Sequence, residues 1–373
     1  MGSWYNFTIF RFLKYRGDYF VHGEDAVVQM NKREIGRTGL KVTELGFGGV
    51  GLGQRVCAIS EAEAEATLFA ALDAGVGYFD TSPWYGHCLS EHRTGHVLRQ
   101  QSRDNYVLST KVGRLFFRPQ DPDQFKTAVW VDGLPFDYCF DYTAEGIRRS
   151  YEDSLHRLGV NRIDMLFVHD LDARLDGGDA NGLEIGGVAG AIEQLDKGGG
   201  WQELADLRTR GEIKAIGFGI NYRGLIPRFL ERFEPDMFLI AMPYTLMDQD
   251  ALDVELQICA EKGISAVIGS VFSSGITATG VGDGAVYGYR QPPDAVVTKL
   301  KGIETVCSRH GVQMRAAALQ FPLFHPVVSS IVPGAMAAKH VIENAALINQ
   351  PIPSDFWAEL KAEGLMRPNA PTG

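Results

Sequence analysis

Three short runs each close a predicted strand with ionisable side chains: YFDTSPWYG (78–86) carries Asp80 and Tyr85, VLSTKVG (107–113) carries Lys111, and MLFVHD (165–170) carries His169. A carboxylate, a phenol, an amine and an imidazole gathered at one end of a sheet can pass a proton to or from a carbonyl oxygen. Tyr85 can give that proton in one direction and take it in the other, yet a free phenol titrates at about 10 and is a sluggish base at neutral pH. An ammonium from Lys111 beside it would favour the phenolate. Asp80 would hold that ammonium charged within a partly dry site. A ring N–H of His169, aimed at the same oxygen, would orient the substrate and stabilise developing negative charge. Taken singly, each has an ordinary role open to it: a turn or N-cap for Asp80, core packing for Tyr85, surface exposure for Lys111, a satisfied loop position for His169. Together, at the ends of the second, third and fourth strands, they predict one catalytic group if they converge.

The elements that must bring them together follow from periodicity. Apolar β-rich runs near 42–49, 77–80, 106–110, 163–168, 213–218, 237–241, 265–269 and 327–332 predict eight strands. Helical spacing follows over 60–74, 90–101, 143–158, 201–210, 222–231, 249–262, 293–320 in two pieces, and 337–348. Ser60 reads as an N-cap before Glu61 and Glu63, and Gly75 and Gly263 as helix-ending glycines. Eight β/α pairs with no dividing linker predict an α/β chain folded as a (β/α)8 TIM barrel, one domain over 30–373. Long connections at 114–141, 170–200 and 272–292 each follow a strand, on the C-terminal face where barrels bind substrate. Trp84, Phe116, Trp130 and Tyr287 are the candidate aromatic walls of a pocket, and the glycine-rich 177–200 reads as a mobile lid or surface loop.

GFGGVG (46–51) matches the GxGxxG of dinucleotide-binding folds, but a working fingerprint opens a helix directly. Here helical spacing begins only near Ser60, and the acidic residue expected about twenty positions on falls inside a helix at Asp73. These glycines read instead as close backbone approach or a tight turn.

Composition narrows the partners. With 46 acidic against 36 basic residues and a formal charge of −10, the chain lacks the positive field that nucleic acids or anionic membranes require, and the expected partner is a small molecule. Five scattered cysteines suggest neither a disulfide framework nor a zinc site, which fits a reducing cytoplasm, and nine scattered histidines suggest no metal centre. Residues 1–29, rich in Trp, Tyr and Phe, read as an N-terminal extension. Met30 is the candidate true start, and a membrane-surface segment or an oligomer arm is the rival reading of that stretch.

The tetrad and its flanks resemble the aldo-keto reductases, nicotinamide-dependent barrel oxidoreductases. FDYTAEGIRRSYEDSLHRLGVNRIDMLFVHD (140–170), RGEIKAIGFGIN (210–221), YGYR (287–290), SSIVPGA (329–335) and VIENAALI (341–348) look like the branch with D-threo-aldose 1-dehydrogenase, L-fucose dehydrogenase and pyridoxal 4-dehydrogenase. The resemblance, which spans about 33–365, implies interconversion of an alcohol, such as an aldose or lactol C1 hydroxyl, with a carbonyl. Reduction of a bulky ketone or aldehyde with NADPH, or a low-turnover sensor or accessory subunit, is the alternative. It further implies that Gly48 lies beneath the bound ring and that Asn221 holds the nicotinamide amide. Phe272, Ser273, Ser274 and Gly275 would wrap the pyrophosphate, while Gly334, Ala335, His340 and Asn344 would meet the adenosine. Relatives using NADPH offer Lys or Arg in this last segment, whereas Gly334 to Ala337 carry no charge and Lys339 and His340 are its basic side chains. The cofactor expected is therefore NAD or NADP with NAD favoured, in a monomer or homodimer.

Overall fold

Side chains along a strand point alternately to its two faces, and in this protein that alternation positions the site. The computed structural model describes residues 30–373 except 128, 173–175, 177–179, 283–284 and 289. The 1–29 extension, the first residues of the expected 177–200 lid and Tyr289 of the YGYR run thus lie outside the described residues. The barrel strands are β1 (Phe47–Gly48), β2 (Tyr78–Asp80), β3 (Val107–Val112), β4 (Met165–His169), β5 (Ala215–Ile220), β6 (Met237–Ala241), β7 (Ser265–Gly269) and β8 (Val328–Ile331). They lie parallel in chain order, and parallel bridges from Leu45 to Ile331 and from Gly48 to Gly334 close the last strand onto the first.

One row of side chains, including Tyr78, Met165, Phe167, Met237, Leu239 and Val267, fills the barrel. The alternate row, with Phe79, Leu108, Leu166, Ile216, Phe238 and Ile268, packs against the surrounding helices. Burying both faces is why these strands read as nearly unbroken apolar runs. Ile35 and Val42, from the antiparallel hairpin of Lys32–Glu34 with Lys41–Thr43, join the interior cluster, and Gly36 N donates to Ser265 Oγ at the start of β7. The hairpin thereby stoppers the N-terminal end. Two residues beyond Tyr78 comes Asp80, and two beyond Phe167 comes His169, so the interior row ends in polar groups at the opposite mouth.

The helices follow the expected spacing closely. Glu61–Asp73 starts at a complete capping box, with Ser60 Oγ accepting from Glu63 N and Glu63 Oε2 accepting from Ser60 N at 2.8 Å. Four differences stand out. The run 42–49 is not one strand: Lys41–Thr43 belongs to the stopper hairpin, and the barrel strand is only Phe47–Gly48. Segment 114–141 folds back as an antiparallel hairpin of Arg114–Phe117 with Asp137–Phe140. Within 177–200, the loop expected from its glycines contains helices at Ala180–Glu184 and Gly187–Asp196, because Val188, Ala191, Ile192 and Leu195 recur at helical spacing and are buried. A last helix, Ser354–Ala362, buries Phe356, Trp357 and Leu360. Among the described residues, no helix is long and apolar enough to cross a membrane.

The GFGGVG glycines line the seam where the barrel closes. A Cβ on Gly48 would stand 2.5 Å from Val332 O, and one on Gly51 would stand 2.3 Å from Ala335 O. Only a short 3-10 turn, Gly51–Gly53, follows them, and the next helix begins at Glu61, so no phosphate-binding helix opens from this motif. The Gly48→Ala variant should therefore lose about 1–3 kcal/mol of stability through overpacking at the seam. Urea unfolding checks this, and an unchanged midpoint would mean that the seam has slack.

Candidate active site

Neighbouring parallel strands put residues of equal depth side by side, so Asp80 on β2 meets Ser109 and Lys111 on β3. Lys111 Nζ donates to Asp80 Oδ2 at 2.7 Å and to Thr81 O at 2.8 Å, and Ser109 Oγ donates to Asp80 Oδ1 at 2.6 Å. Lys111 and Asp80 are 1% and 3% exposed, so the pair is fully withdrawn from water. Such burial is tolerable only because both carboxylate oxygens and the ammonium find partners. Tyr78 OH lies 3.0 Å from Ser109 Oγ. Burial, then the charge of Asp80, pushes the Tyr78 phenol well above its usual range. It stays protonated, and with Ser109 donating to Asp80, Tyr78 is the donor to Ser109.

Tyr85 sits in the turn after β2, with Lys111 Nζ 4.6 Å from its ring centroid. The turn is tightly held. Tyr85 N donates to Ser82 O at 3.1 Å, the next three residues all have positive φ (Gly86 66°, His87 50°, Cys88 80°), and a Cβ on Gly53 would lie 2.6 Å from Tyr85 C. His169, at the end of β4, presents its ring edge-on to Tyr85 with centroids 6.2 Å apart. The four residues named from sequence converge at one mouth of the barrel.

Beside His169 lies a group that sequence reasoning missed. Arg114 Nη1 is 3.1 Å from His169 Nδ1, and Arg114 Nη2 donates to Asp170 Oδ2 at 2.8 Å. Asn221, at the end of β5, donates from Nδ2 to Asp170 Oδ1 at 3.0 Å and to Asp172 Oδ2 at 2.6 Å. It thus reaches the mouth next to His169. The signal for Arg114 was a basic residue three positions past Lys111, beyond the strand-ending Gly113.

Aromatic rings wall the mouth. Trp84 meets Trp130 at 5.8 Å and Tyr138 at 5.0 Å, and Trp130 lies 5.9 Å from Tyr85. Phe116 is buried behind them against His87 and Tyr138. Tyr138, brought in by the return strand of the hairpin, went unnoticed because its spacing matches no pocket motif. Tyr287, with Asp248, Lys299 and Arg367, lines a cleft of about 440 Å³.

Several strands leave the barrel through left-handed residues, Asp170 after β4, Met242 after β6 and Ser270 after β7, with Ser273 and Ser274 following. Backbone of this kind costs about 1–3 kcal/mol per residue and clusters at functional sites. Of the residues expected around the pyrophosphate, Ser273 is buried with its Oγ 2.9 Å from Thr245 Oγ1, and Ser274 Oγ contacts Met242 Sδ at 3.8 Å. Phe272 lies under the Arg315 guanidinium at 5.4 Å, and Gly275 has φ 105° with open space at its Cβ position. Of the residues expected around the adenosine, Gly334 and Ala335 form the seam opposite Gly48 and Gly51, and Asn344 is buried with its Oδ1 accepting from Arg315 Nε at 3.0 Å. His340 is held below the ordinary imidazole range by burial, with Arg315 and Lys339 adding to the effect. Arg315 also pairs with Glu343; it comes from the helix Met314–Gln320 and was invisible to an argument confined to 334–344.

The aldo/keto reductase family model matches residues 44–363. Pyridoxal 4-dehydrogenase of Microbacterium luteolum is 37% identical over 90% of this chain and 98% of its own length. D-threo-aldose 1-dehydrogenase of a Pseudomonas species is also 37% identical, over 86% of this chain and 94% of its own. Among solved structures, an aldo-keto reductase from Bacillus halodurans in its holo form aligns with a TM-score of 0.68 over 91% of this chain and 97% of its own, at 23% identity.

The buried pair makes a double prediction. Asp80→Asn strands an ammonium in the interior and should cost about 3–5 kcal/mol of stability. Adding Lys111→Met should restore much of that loss in a chemical denaturation series while leaving turnover absent. Equal stability of Asp80→Asn and wild type would show that the charges are not coupled.

Proposed function

This chain belongs to the aldo/keto reductase family, and we propose that it oxidises the C1 hydroxyl of an aldose-like cyclic hemiacetal, with NAD as the dinucleotide. The broader activity, NAD(P)-dependent interconversion of an alcohol and a carbonyl, is that of the family. The observation that carries the reading is the Lys111 ammonium, fixed by Asp80 at 2.7 Å, beneath the Tyr85 ring with His169 facing it.

In oxidation the substrate O–H proton passes to the Tyr85 oxygen, where the ammonium stabilises the negative charge that receives it. His169 holds the same substrate oxygen through a ring N–H, lowering the energy of the alkoxide as the carbonyl forms. The nicotinamide, when bound, accepts the hydride leaving the same carbon, so one C–H and one O–H bond break and one C=O forms. In reduction, Tyr85 returns the proton. Trp84, half-buried in the wall and backed by Trp130, offers an apolar edge against which a sugar ring or a heteroaromatic ring can pack. The relatives' names point the same way, to an aldose and to pyridoxal.

The residues at hand suit a dinucleotide. The helix Ala338–Leu347 has no side-chain cap at its N-terminus, which leaves the N–H groups of Ala338 and Lys339 for a phosphate, and Arg315 and Lys339 supply positive charge nearby. A 2′-phosphate is less well served. Burial, with Arg315 and Lys339 beside it, disfavours the charged form of His340, and Glu343 already engages Arg315. Arg315 is also the one observation on the side of NADP, because it adds a guanidinium that the 334–344 segment lacks.

A panel of aldoses, pyridoxal and bulky ketones, followed at the reduced-nicotinamide absorbance with each dinucleotide, tests both parts. The expected result is higher kcat/KM for a hemiacetal substrate and for NAD. A strong NADP preference, or activity confined to bulky ketones, overturns the finer reading. Tyr85→Phe should lower turnover by about 10²–10⁴-fold, the usual weight of a general acid–base group, with dinucleotide affinity retained.

A further inference from the structure

We infer that Arg114 is a positioning residue for His169, dictating which ring nitrogen carries the proton; the inference rests on the oxidoreductase reading above. Gly113 makes the turn that allows this: its φ is 105°, and a Cβ there would lie 2.1 Å from the Tyr142 ring. The chain then enters the hairpin with Arg114 4% exposed, its guanidinium 4.5 Å from the ring centroids of both Trp84 and Phe140. Two aromatic faces hold the plane of the fork, and Asp170 Oδ2, 2.8 Å from Nη2, fixes its rotation. What remains is Nη1, 3.1 Å from His169 Nδ1.

A guanidinium has only donors. His169 Nδ1 must therefore offer its lone pair, which leaves the ring proton on Nε2. Ser82 supports the same assignment: its Oγ accepts from Trp84 N at 3.1 Å and lies 3.4 Å from Nδ1, so its hydrogen is available to that lone pair. Tyr142 OH donates to His169 O at 2.8 Å and holds the backbone below the ring. A second proton, on Nδ1, would point straight at a buried cation. Charged and titratable groups against the imidazole include Arg114 from the hairpin, Asp170 with Oδ1 3.5 Å from Nε2, and Tyr85 edge-on. Asp172 lies behind Asn221, and the Lys111–Asp80 pair occupies the strands on the other side.

The arrangement has a cost that supports a dedicated role. Arg114 Nε is buried without a hydrogen-bond partner among the described residues, and such groups are rare in folded proteins. Lysine could not substitute, since one ammonium cannot lie flat between two rings and reach Asp170 and His169 together.

The test is nitrogen-15 NMR of histidine-labelled enzyme, with His169 assigned by its loss in His169→Asn. Wild type should show His169 as a single Nε2–H tautomer that does not titrate between about pH 5 and 8, the span in which an ordinary histidine changes charge. Arg114→Met should show mixed tautomers and a titration in that span. Its kcat should fall roughly 10–100-fold, the loss typical when an orienting partner is removed, while dinucleotide affinity stays unchanged. A folded Arg114→Met variant that keeps the Nε2–H tautomer untitrated overturns the inference, as does equal loss of turnover and dinucleotide affinity. Should that variant fail to fold, Arg114→Lys decides: a partial loss of the Nε2–H population is expected, and a wild-type spectrum refutes the role. A wild-type enzyme that oxidises no alcohol with either dinucleotide would count against the oxidoreductase reading alone, because the nitrogen shifts need no turnover.

Discussion

Everything at the barrel mouth depends on an ammonium and a carboxylate that meet where water cannot reach. A buried Lys or Asp alone would be driven to its neutral form, and a neutral Lys111 could not favour charge on Tyr85. The pair lasts because each charge is matched and hydrogen-bonded, with Ser109, Tyr78 and Thr81 O completing the shell. The fold supplies those partners cheaply. They occupy adjacent inward positions on β2 and β3 or the residue just beyond, and parallel register brings such positions together without any special loop.

The polar layer is bounded by apolar material on three sides. Below it stand Tyr78, Phe167 and Leu239, sealed from the opposite end by the Lys32–Glu34 and Lys41–Thr43 hairpin. Around it are the strands themselves. Above it Trp84, Trp130 and Tyr138 leave only the mouth open. Left-handed residues at Asp170, Met242 and Ser270 turn the chain sharply where β4, β6 and β7 end.

What the sequence reveals and what it conceals follow from range. Strand-end residues are legible because a period of two and a following turn place them without reference to distant chain: Asp80, Lys111 and His169 all come from such local patterns. Most barrel helices are legible for the same reason, down to the Ser60 cap. Hidden features depend on long-range pairing. The stopper hairpin hid because residues 42–49 read as one run, and the helix Gly187–Asp196 hid because its glycines outweighed a sound apolar spacing. Arg315 lies in another helix from the segment it serves, and Tyr138 reaches the mouth only through the register of its hairpin.

The hairpin of Arg114–Phe117 with Asp137–Phe140 places Phe116 and Tyr138 in the wall and Arg114 against His169 within a single ribbon. Natural drift or laboratory grafting that reshapes this ribbon for a new substrate also disturbs the contact at the imidazole. Selectivity and rate are consequently inherited together here, and variants that widen substrate range should tend to keep the first residue of the ribbon while altering those that follow it.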